Sequence, residues 1–129
     1  MQRNPGHLPV ISALMLGIGL LLAGGLARGE PDAQVDATIR YLIDRVAGSE
    51  LTFVRNDTPY TPDRAAGHME KKYRHFRDDI DSAEDFIELC ASRSLMSGEP
   101  YRVIDRNGKQ RLTADWLRSL LVATREHGQ

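Results

Sequence analysis

The stretch formed by residues 51–72 constrains the fold more than any other part of the chain. Residues 51–55 are rich in β-branched and aromatic side chains, which favours a short strand. Residues 56–60 predict a turn, because asparagine tolerates positive φ and proline has no N–H to donate. Thr61 then has the side chain of a helix N-cap, and Pro62 suits the first helical position. We therefore expect a strand, a turn and a helix start in direct succession, with the polar residues at these joints as the first candidates for a site.

Apolar side chains recur at steps of three and four in four segments, which predicts four amphipathic helices. The first begins at Asp32 and ends at Gly48, where a left-handed C-cap is expected. The third begins at Asp81 or Ser82, since each has an acid three residues later, and Thr113 caps the fourth. The stripes predicted to be buried are Val35, Ile39, Leu42, Ile43 and Val46; Ala65, Met69, Tyr73 and Phe76; Phe86, Ile87, Cys90 and Ala91; and Trp116, Leu117, Leu120 and Leu121.

A second strand is predicted late in the chain. Residues 101–105 alternate in character, and residues 106–109 read Arg-Asn-Gly-Lys, a tight-turn signature. The predicted order is therefore α-β-α-α-β-α. Two short strands are marginal by themselves, so they should lie on the helices. The predicted class is α+β, a small and mostly helical domain with a short two-stranded β ribbon.

The first residues have the pattern of a targeting segment. Residues 1–9 are polar with one arginine, residues 10–23 are almost entirely apolar, and small residues follow. This predicts a secretory signal peptide over residues 1–27, with cleavage after residue 27 or 29, and a single exported domain over residues 28–129. The mature domain is then expected in the periplasm or outside the cell.

An uncleaved inner-membrane anchor is the competing interpretation of the same segment. A spanning helix needs about 20 apolar residues. Residues 8–27 reach that length only by including a proline and four glycines. If the segment stays uncleaved, it is the one part of the chain expected to contact a membrane.

Composition limits the kinds of partner and cofactor. The chain has 17 basic and 18 acidic side chains and no run of basic residues, so a nucleic-acid partner is not indicated. The single cysteine excludes an intramolecular disulfide. The acidic cluster at residues 78–85 lacks the glycine that a calcium loop needs at its sixth position. We therefore predict neither a metal site nor a cofactor.

His68 and Lys72 are four residues apart and share one face of the second predicted helix. Together they could bind an anion, or His68 could transfer protons near neutral pH. The plainer alternative is a half-buried histidine bonded to a loop carbonyl, beside a lysine whose stem covers the core.

Arg55, Asn56 and Tyr60 surround the predicted turn between strand and helix. An arginine beside a helix N-terminus suits a pocket for a carboxylate or phosphate group. Equally, Arg55 could pair with Asp57 or Asp63 while Asn56 only shapes the turn. The residue pattern is consistent with both interpretations.

Ser92, Ser94 and Ser97 lie in one loop before Tyr101. A serine nucleophile requires a base and an oxyanion hole, and the sequence has neither a Gly-x-Ser-x-Gly elbow nor a Ser-x-x-Lys signature. Hydrogen bonding within the loop explains these serines more simply. The catalytic alternative uses His68 as the base and Ser94 or Ser97 as the nucleophile.

Several short segments, in order and with similar spacing, resemble one known family. They are Phe53-Val54-Arg55-Asn56; Ala65 with His68-Met69 and Lys72; residues 80–87; Ala91-Ser92 with Ser94; and Ser97-Gly98-Glu99-Pro100-Tyr101. The chain resembles the YfeK-like family, small exported bacterial proteins classed as a domain of unknown function. The resemblance implies a signal peptide, an exported location and no established activity. The chain differs from the family at Asp57, because the family has an Arg-Asn-Gly turn with glycine at this position.

We therefore expect a non-enzymatic exported module that binds a small anionic ligand or an envelope protein. The predicted binding residues are Arg55, Asn56, Tyr60, His68, Lys72, Ser94 and Tyr101. The alternatives are a small serine hydrolase, as described above, and a purely structural envelope protein.

Overall fold

Four helices and four strands form the part of the chain that the computed structural model describes, residues 31–128. In chain order they are α1 (Ala33–Ala47), β1 (Thr52–Arg55), β2 (Thr58–Tyr60), α2 (Pro62–Phe76), α3 (Ala83–Cys90), β3 (Arg102–Ile104), β4 (Gln110–Leu112) and α4 (Thr113–His127). A 3₁₀ turn, Arg77–Asp79, joins α2 to α3. The predicted α+β class is confirmed, and so is the order of its helices.

Polar side chains begin three of the helices, as the sequence predicts. The Asp32 carboxylate accepts a hydrogen bond of 2.8 Å from the N–H of Val35 at the start of α1. Thr61 does the same for α2, and Ser82, rather than Asp81, does so for α3. Each such cap stabilises its helix by about 1 kcal/mol.

The first helix ends at Gly48 as predicted, but two details of the predicted helix termini are wrong. Gly48 has a φ of −89°, so it is not left-handed, and its N–H bonds to the carbonyl of Asp44. Thr113 is the first residue of α4 rather than its cap; the cap position belongs to Leu112, and no side chain caps this helix. Thr113 is not a cap because β4 leads directly into α4, and a backbone hydrogen bond from the start of α4 fixes this junction instead. The N–H of Thr113 donates to the carbonyl of Tyr101 at 2.9 Å.

The sheet has four antiparallel strands in the order β2-β1-β3-β4. The two predicted strands do pair with each other, as β1 and β3, with Phe53 opposite Val103. Each is extended by a hairpin, so the ribbon has four strands instead of two. The predicted turn at residues 56–60 is correspondingly too long. It consists of Asn56 and Asp57, with φ values of 52° and 60°, and β2 begins immediately afterwards.

One hydrophobic core joins the helices to the inner face of the sheet. Phe53 of β1 contacts Trp116 of α4 edge to face, with ring centroids 5.9 Å apart. Tyr73 is fully buried, and its hydroxyl donates to the carboxylate of Asp36 at 2.6 Å. The predicted stripes are buried except for four members that are only partly covered: Val35, Phe76, Trp116 and Leu120.

The predicted signal peptide (residues 1–27, cleaved after 27 or 29) and the alternative anchor (residues 8–27) lie outside the described residues. Within residues 31–128, no helix combines the length and the apolar character that crossing a membrane requires.

Candidate functional site

A small pocket lies between the β1–β2 hairpin, one face of α2 and the ends of three further elements. Five of the predicted binding residues line it: Arg55, Tyr60, His68, Lys72 and Tyr101. Its remaining walls are formed by Phe53, Val54, Ala65, Met69, Cys90 and Thr113. The cavity volume is about 30 Å³. A cavity of roughly 10–15 Å³ holds one water, so this one has room for a group of two or three atoms.

Local geometry explains why these side chains meet. Phe53 and Arg55 are two residues apart on β1 and therefore point to the same face of the sheet. Tyr60 is opposite Phe53 in the hairpin register and so shares that face. His68 and Lys72, one turn apart on α2, face the same side. The hairpin and the helix follow each other directly, and the pocket forms in the angle between them.

Tyr60 is the centre of an aromatic and cationic group. The guanidinium carbon of Arg55 lies 5.8 Å from the centre of its ring, and that of Arg64 lies 5.0 Å away. The imidazole of His68 meets the same ring edge to face at 5.2 Å. These contacts fix the orientation of Arg55 and His68.

Lys72 connects α2 to the strand and loop on the other side of the pocket. Its ammonium group donates to the hydroxyl of Tyr101 and to the carbonyl of Arg93, each at 3.2 Å. Since an ammonium group has three protons, one remains for another acceptor.

Within residues 31–128, the positive charge around His68 is not balanced by ion pairs. Burial lowers the pKa of His68, and the charges of Arg55, Arg64, Lys71 and Lys72 lower it further. Among the described residues, none of these four cations forms a salt bridge with a carboxylate. Seven other arginines do so: Arg40, Arg77, Arg93, Arg102, Arg106, Arg118 and Arg125. The pocket therefore has a positive potential that suits an anion.

Two polar atoms of the pocket residues are buried and have no hydrogen-bond partner within residues 31–128. They are Nε2 of His68 and the hydroxyl oxygen of Thr113. Thr113 itself is fully buried, at 0% exposure, whereas Arg55 and Lys72 are half-buried. Thr113 thus belongs to the closed end of the pocket, and the two cations belong to its mouth.

Cys90 is buried at the same closed end. Burial raises the pKa of its thiol to about 12, and the charge of Lys72 offsets this only in part. The thiol therefore stays protonated at neutral pH and is a poor nucleophile and metal ligand. Within residues 31–128, moreover, no three His, Cys, Asp or Glu side chains are grouped so that they could hold a metal ion.

Asn56, Ser94 and Ser97 lie together but do not line the pocket. The Asn56 amide donates to the Ser94 hydroxyl at 3.3 Å, and the Ser97 hydroxyl donates to the Asn56 carbonyl oxygen at 2.5 Å. The Ser94 oxygen also accepts from the N–H groups of Met96 and Ser97. These residues tie the β1–β2 turn to the loop at residues 92–100. Neither serine is hydrogen-bonded to His68, the base that the hydrolase alternative requires.

Sequence reasoning missed the part of the pocket that the core supplies. The sequence predicts Met69 and Cys90 as core residues, and they are buried in the core. Nothing in their pattern indicates that they also line a cavity. The sequence places Thr113 at a helix cap because β4 is too short to be recognised. Arg64, which stacks on Tyr60, could have been found from its position four residues before His68.

Comparison with known proteins places the chain in a family. The model of DUF5329, a family of unknown function, matches residues 33–125. The chain is 30% identical over 92 residues to the "Uncharacterized protein YfeK" of Salmonella typhimurium, a match that spans 71% of this chain and 74% of that protein. No solved structure matches it significantly. The chain therefore belongs to the DUF5329 family, in agreement with the YfeK-like resemblance of its sequence.

Proposed function

We propose that this protein is a non-enzymatic binding module whose pocket holds the carboxylate of a small ligand. The observation that carries the proposal is the group of four cations around His68, none of which pairs with a carboxylate of the described residues. Two of them, Arg55 and Lys72, line the mouth of the pocket.

The charge of the site favours an anion over a cation. A metal ion or an amine would meet Arg55, Lys72 and the further charge of Arg64 and Lys71, and it would have no carboxylate in the pocket to compensate. An anion gains from the same arrangement. A guanidinium group binds carboxylates through two parallel hydrogen bonds, and Lys72 can add a third donor.

The size of the cavity favours a small ligand. A volume of about 30 Å³ admits two or three atoms, so a carboxylate held by the cations at the mouth can carry only a short chain into the cavity. The half-buried cations keep the charged group near water, so its desolvation cost stays moderate.

Binding is favoured over hydrolysis because the catalytic groups are separated. Ser94 and Ser97 are engaged with Asn56, and neither is hydrogen-bonded to His68. Cys90 is a protonated thiol at the closed end of the pocket. Neither serine is therefore paired with the histidine base that the hydrolase alternative requires.

We further propose that the module acts in the periplasm or outside the cell after removal of the signal peptide at residues 1–27. The pattern of residues 1–23, polar and then apolar, supports this. Mass spectrometry of the protein from a fractionated host tests it. A mature N-terminus at residue 28 or 30 is expected, and an intact N-terminus in the membrane fraction would contradict it.

Titration of the protein with propionate, followed by amide chemical shifts, tests the binding function. We expect saturable shifts at the pocket residues and about tenfold weaker binding by Arg55→Gln, which loses one charged hydrogen-bond donor. Arg45→Gln is the matched control, because Arg45 is an exposed residue of α1 outside the pocket. Equal affinities for Arg55→Gln and wild type, or no saturable shift at all, would remove the proposal.

A further inference from the structure

We infer that the ligand of this pocket is a short carboxylate with a second oxygen on the neighbouring carbon, a 2-hydroxy or 2-oxo acid, and that Thr113 and His68 bind this second oxygen. The inference rests on the proposed function, which assigns the carboxylate to the cations at the mouth. The inference adds the chemical group that binds at the closed end of the same pocket.

The hydroxyl of Thr113 is the first reason. Buried hydroxyl groups in native proteins nearly always have a hydrogen-bond partner, because an unpaired one costs free energy. Thr113 is fully buried and lines the cavity, yet its hydroxyl has no partner within residues 31–128. This threonine also begins α4, where no side chain caps the helix and the positive end of the helix dipole favours an electron-rich atom.

The imidazole of His68 is the second reason, and it comes from a different element. Its Nε2 is buried and equally unpartnered among the described residues. Two unpaired polar atoms, one on α2 and one on α4, therefore belong to residues that line the same small cavity. In the inferred complex, one oxygen atom of the ligand bonds to both.

The protonation of His68 makes the site tolerant of two kinds of oxygen. Burial and the nearby cations lower the pKa of this histidine, so the ring is neutral at pH 7. A neutral imidazole has one N–H and one lone pair, and a hydroxyl group both donates and accepts. A ligand carbonyl can thus accept from both groups, and a ligand hydroxyl can accept from one and donate to the other.

The walls limit the rest of the ligand. The carboxylate lies at the mouth, at Arg55 and Lys72, and the cavity of about 30 Å³ below it has room for two or three further atoms: one oxygen and one or two carbons. Met69 and Cys90 give this end apolar surface, which suits a methyl group. Longer chains would require the buried residues to move.

The probes for the test are pyruvate, L-lactate and propionate, which share a three-carbon skeleton. Wild type is expected to bind pyruvate and L-lactate about tenfold more tightly than propionate, the gain of roughly one well-paired buried hydrogen bond. Thr113→Val has nearly the same shape without the hydroxyl, so it should lose the preference and keep its affinity for propionate. Thr113→Ser retains the hydroxyl and should keep the preference.

The outcomes separate this inference from the proposed function. If all three acids bind wild type equally and Thr113→Val changes nothing, the second oxygen is not recognised and the inference is overturned, while the carboxylate site stands. If none of the acids binds, both are overturned. If Thr113→Val and Thr113→Ser lose affinity for propionate as well, Thr113 acts only through the shape of the pocket, which also overturns the inference.

Discussion

The side-chain amide of Asn56 lies 3.3 Å from the hydroxyl of Ser94, 38 residues further along the chain. Together with the bond from Ser97, this contact attaches the β1–β2 turn to the loop at residues 92–100. Because Arg55 precedes Asn56 directly and Tyr101 follows the loop, the contact holds two sides of the pocket in place.

Replacing Asn56 by glycine should loosen this attachment without disturbing the turn. Asn56 has a φ of 52°, a conformation that glycine adopts easily, but glycine cannot make the two side-chain hydrogen bonds. We expect Asn56→Gly to lower the free energy of unfolding by about 1–2 kcal/mol and to speed amide exchange in residues 94–98. Unchanged exchange in that loop would show that the contact does not order it.

Asp57→Gly is the matched substitution at the second position of the same turn. Asp57 has a φ of 60°. Its side chain is 85% exposed, and its carboxylate lies 3.6 Å from the guanidinium group of Arg102. Asn-Gly is the preferred pair for a two-residue hairpin with positive φ at both positions. Asp57→Gly should therefore raise the unfolding free energy by roughly 0.5 kcal/mol in urea titrations. A destabilisation would mean that the Asp57 side chain contributes more than its exposure indicates.

Thr113→Val should stabilise the protein in the absence of ligand. The substitution removes a buried hydroxyl that lacks a partner within the described residues and keeps the volume of the side chain. The expected gain is about 1 kcal/mol in the free energy of unfolding, measured by urea denaturation. Thr113→Ser, which keeps the hydroxyl and loses a methyl group, should instead destabilise by about 1 kcal/mol. A loss of stability in Thr113→Val would indicate that the hydroxyl has a stabilising partner in solution.

His68 should make stability depend on pH on the acid side of neutrality. Its pKa in the folded protein is lowered from 6.5, first by burial and then by the cations at Arg55, Arg64, Lys71 and Lys72. The unfolded chain therefore takes up the proton first as the pH falls. The neutral ring therefore makes its full contribution to the free energy of unfolding above pH 6.5. This contribution declines as the pH falls from 6.5 towards the lowered pKa of the folded state, and it does not change further below that pKa.

Ring-proton chemical shifts of His68 measure this pKa directly. Lys72→Met removes one of the cations, so the pKa of His68 should move up towards 6.5. His68→Gln should remove the corresponding part of the pH dependence from urea titrations. A titration of His68 above 6.5 in wild type would contradict the charge balance described for the pocket.

Cys90 should be unreactive in the folded protein. The side chain is fully buried, and burial raises its pKa to about 12. The thiolate that alkylating reagents need is therefore almost absent at pH 8. We expect iodoacetamide to label Cys90 only as fast as the protein unfolds, and to label it fully in denaturant. Native labelling at the rate of a free cysteine would show that the closed end of the pocket opens readily.

Local chemistry in the sequence determined most of the fold. The apolar stripes of four helices repeat every three or four residues, and Asp32, Thr61 and Ser82 mark three helix starts, because periodicity and capping act within a few residues of chain. The strands β2 and β4 were missed, since three residues carry too little pattern. They form because β1 and β3 offer hydrogen-bonding edges once they have paired.

The pocket is a product of tertiary structure. The sequence could propose Arg55, His68, Lys72 and Tyr101 as polar candidates, yet their convergence depends on the pairing of β1 with β3 and on the packing of α2 beside them. The burial of the Thr113 hydroxyl and the contact between Asn56 and Ser94 also depend on this tertiary packing. Residues close in the chain set helices and turns through short-range sterics and hydrogen bonds, whereas a cavity exists only after distant segments have packed against each other.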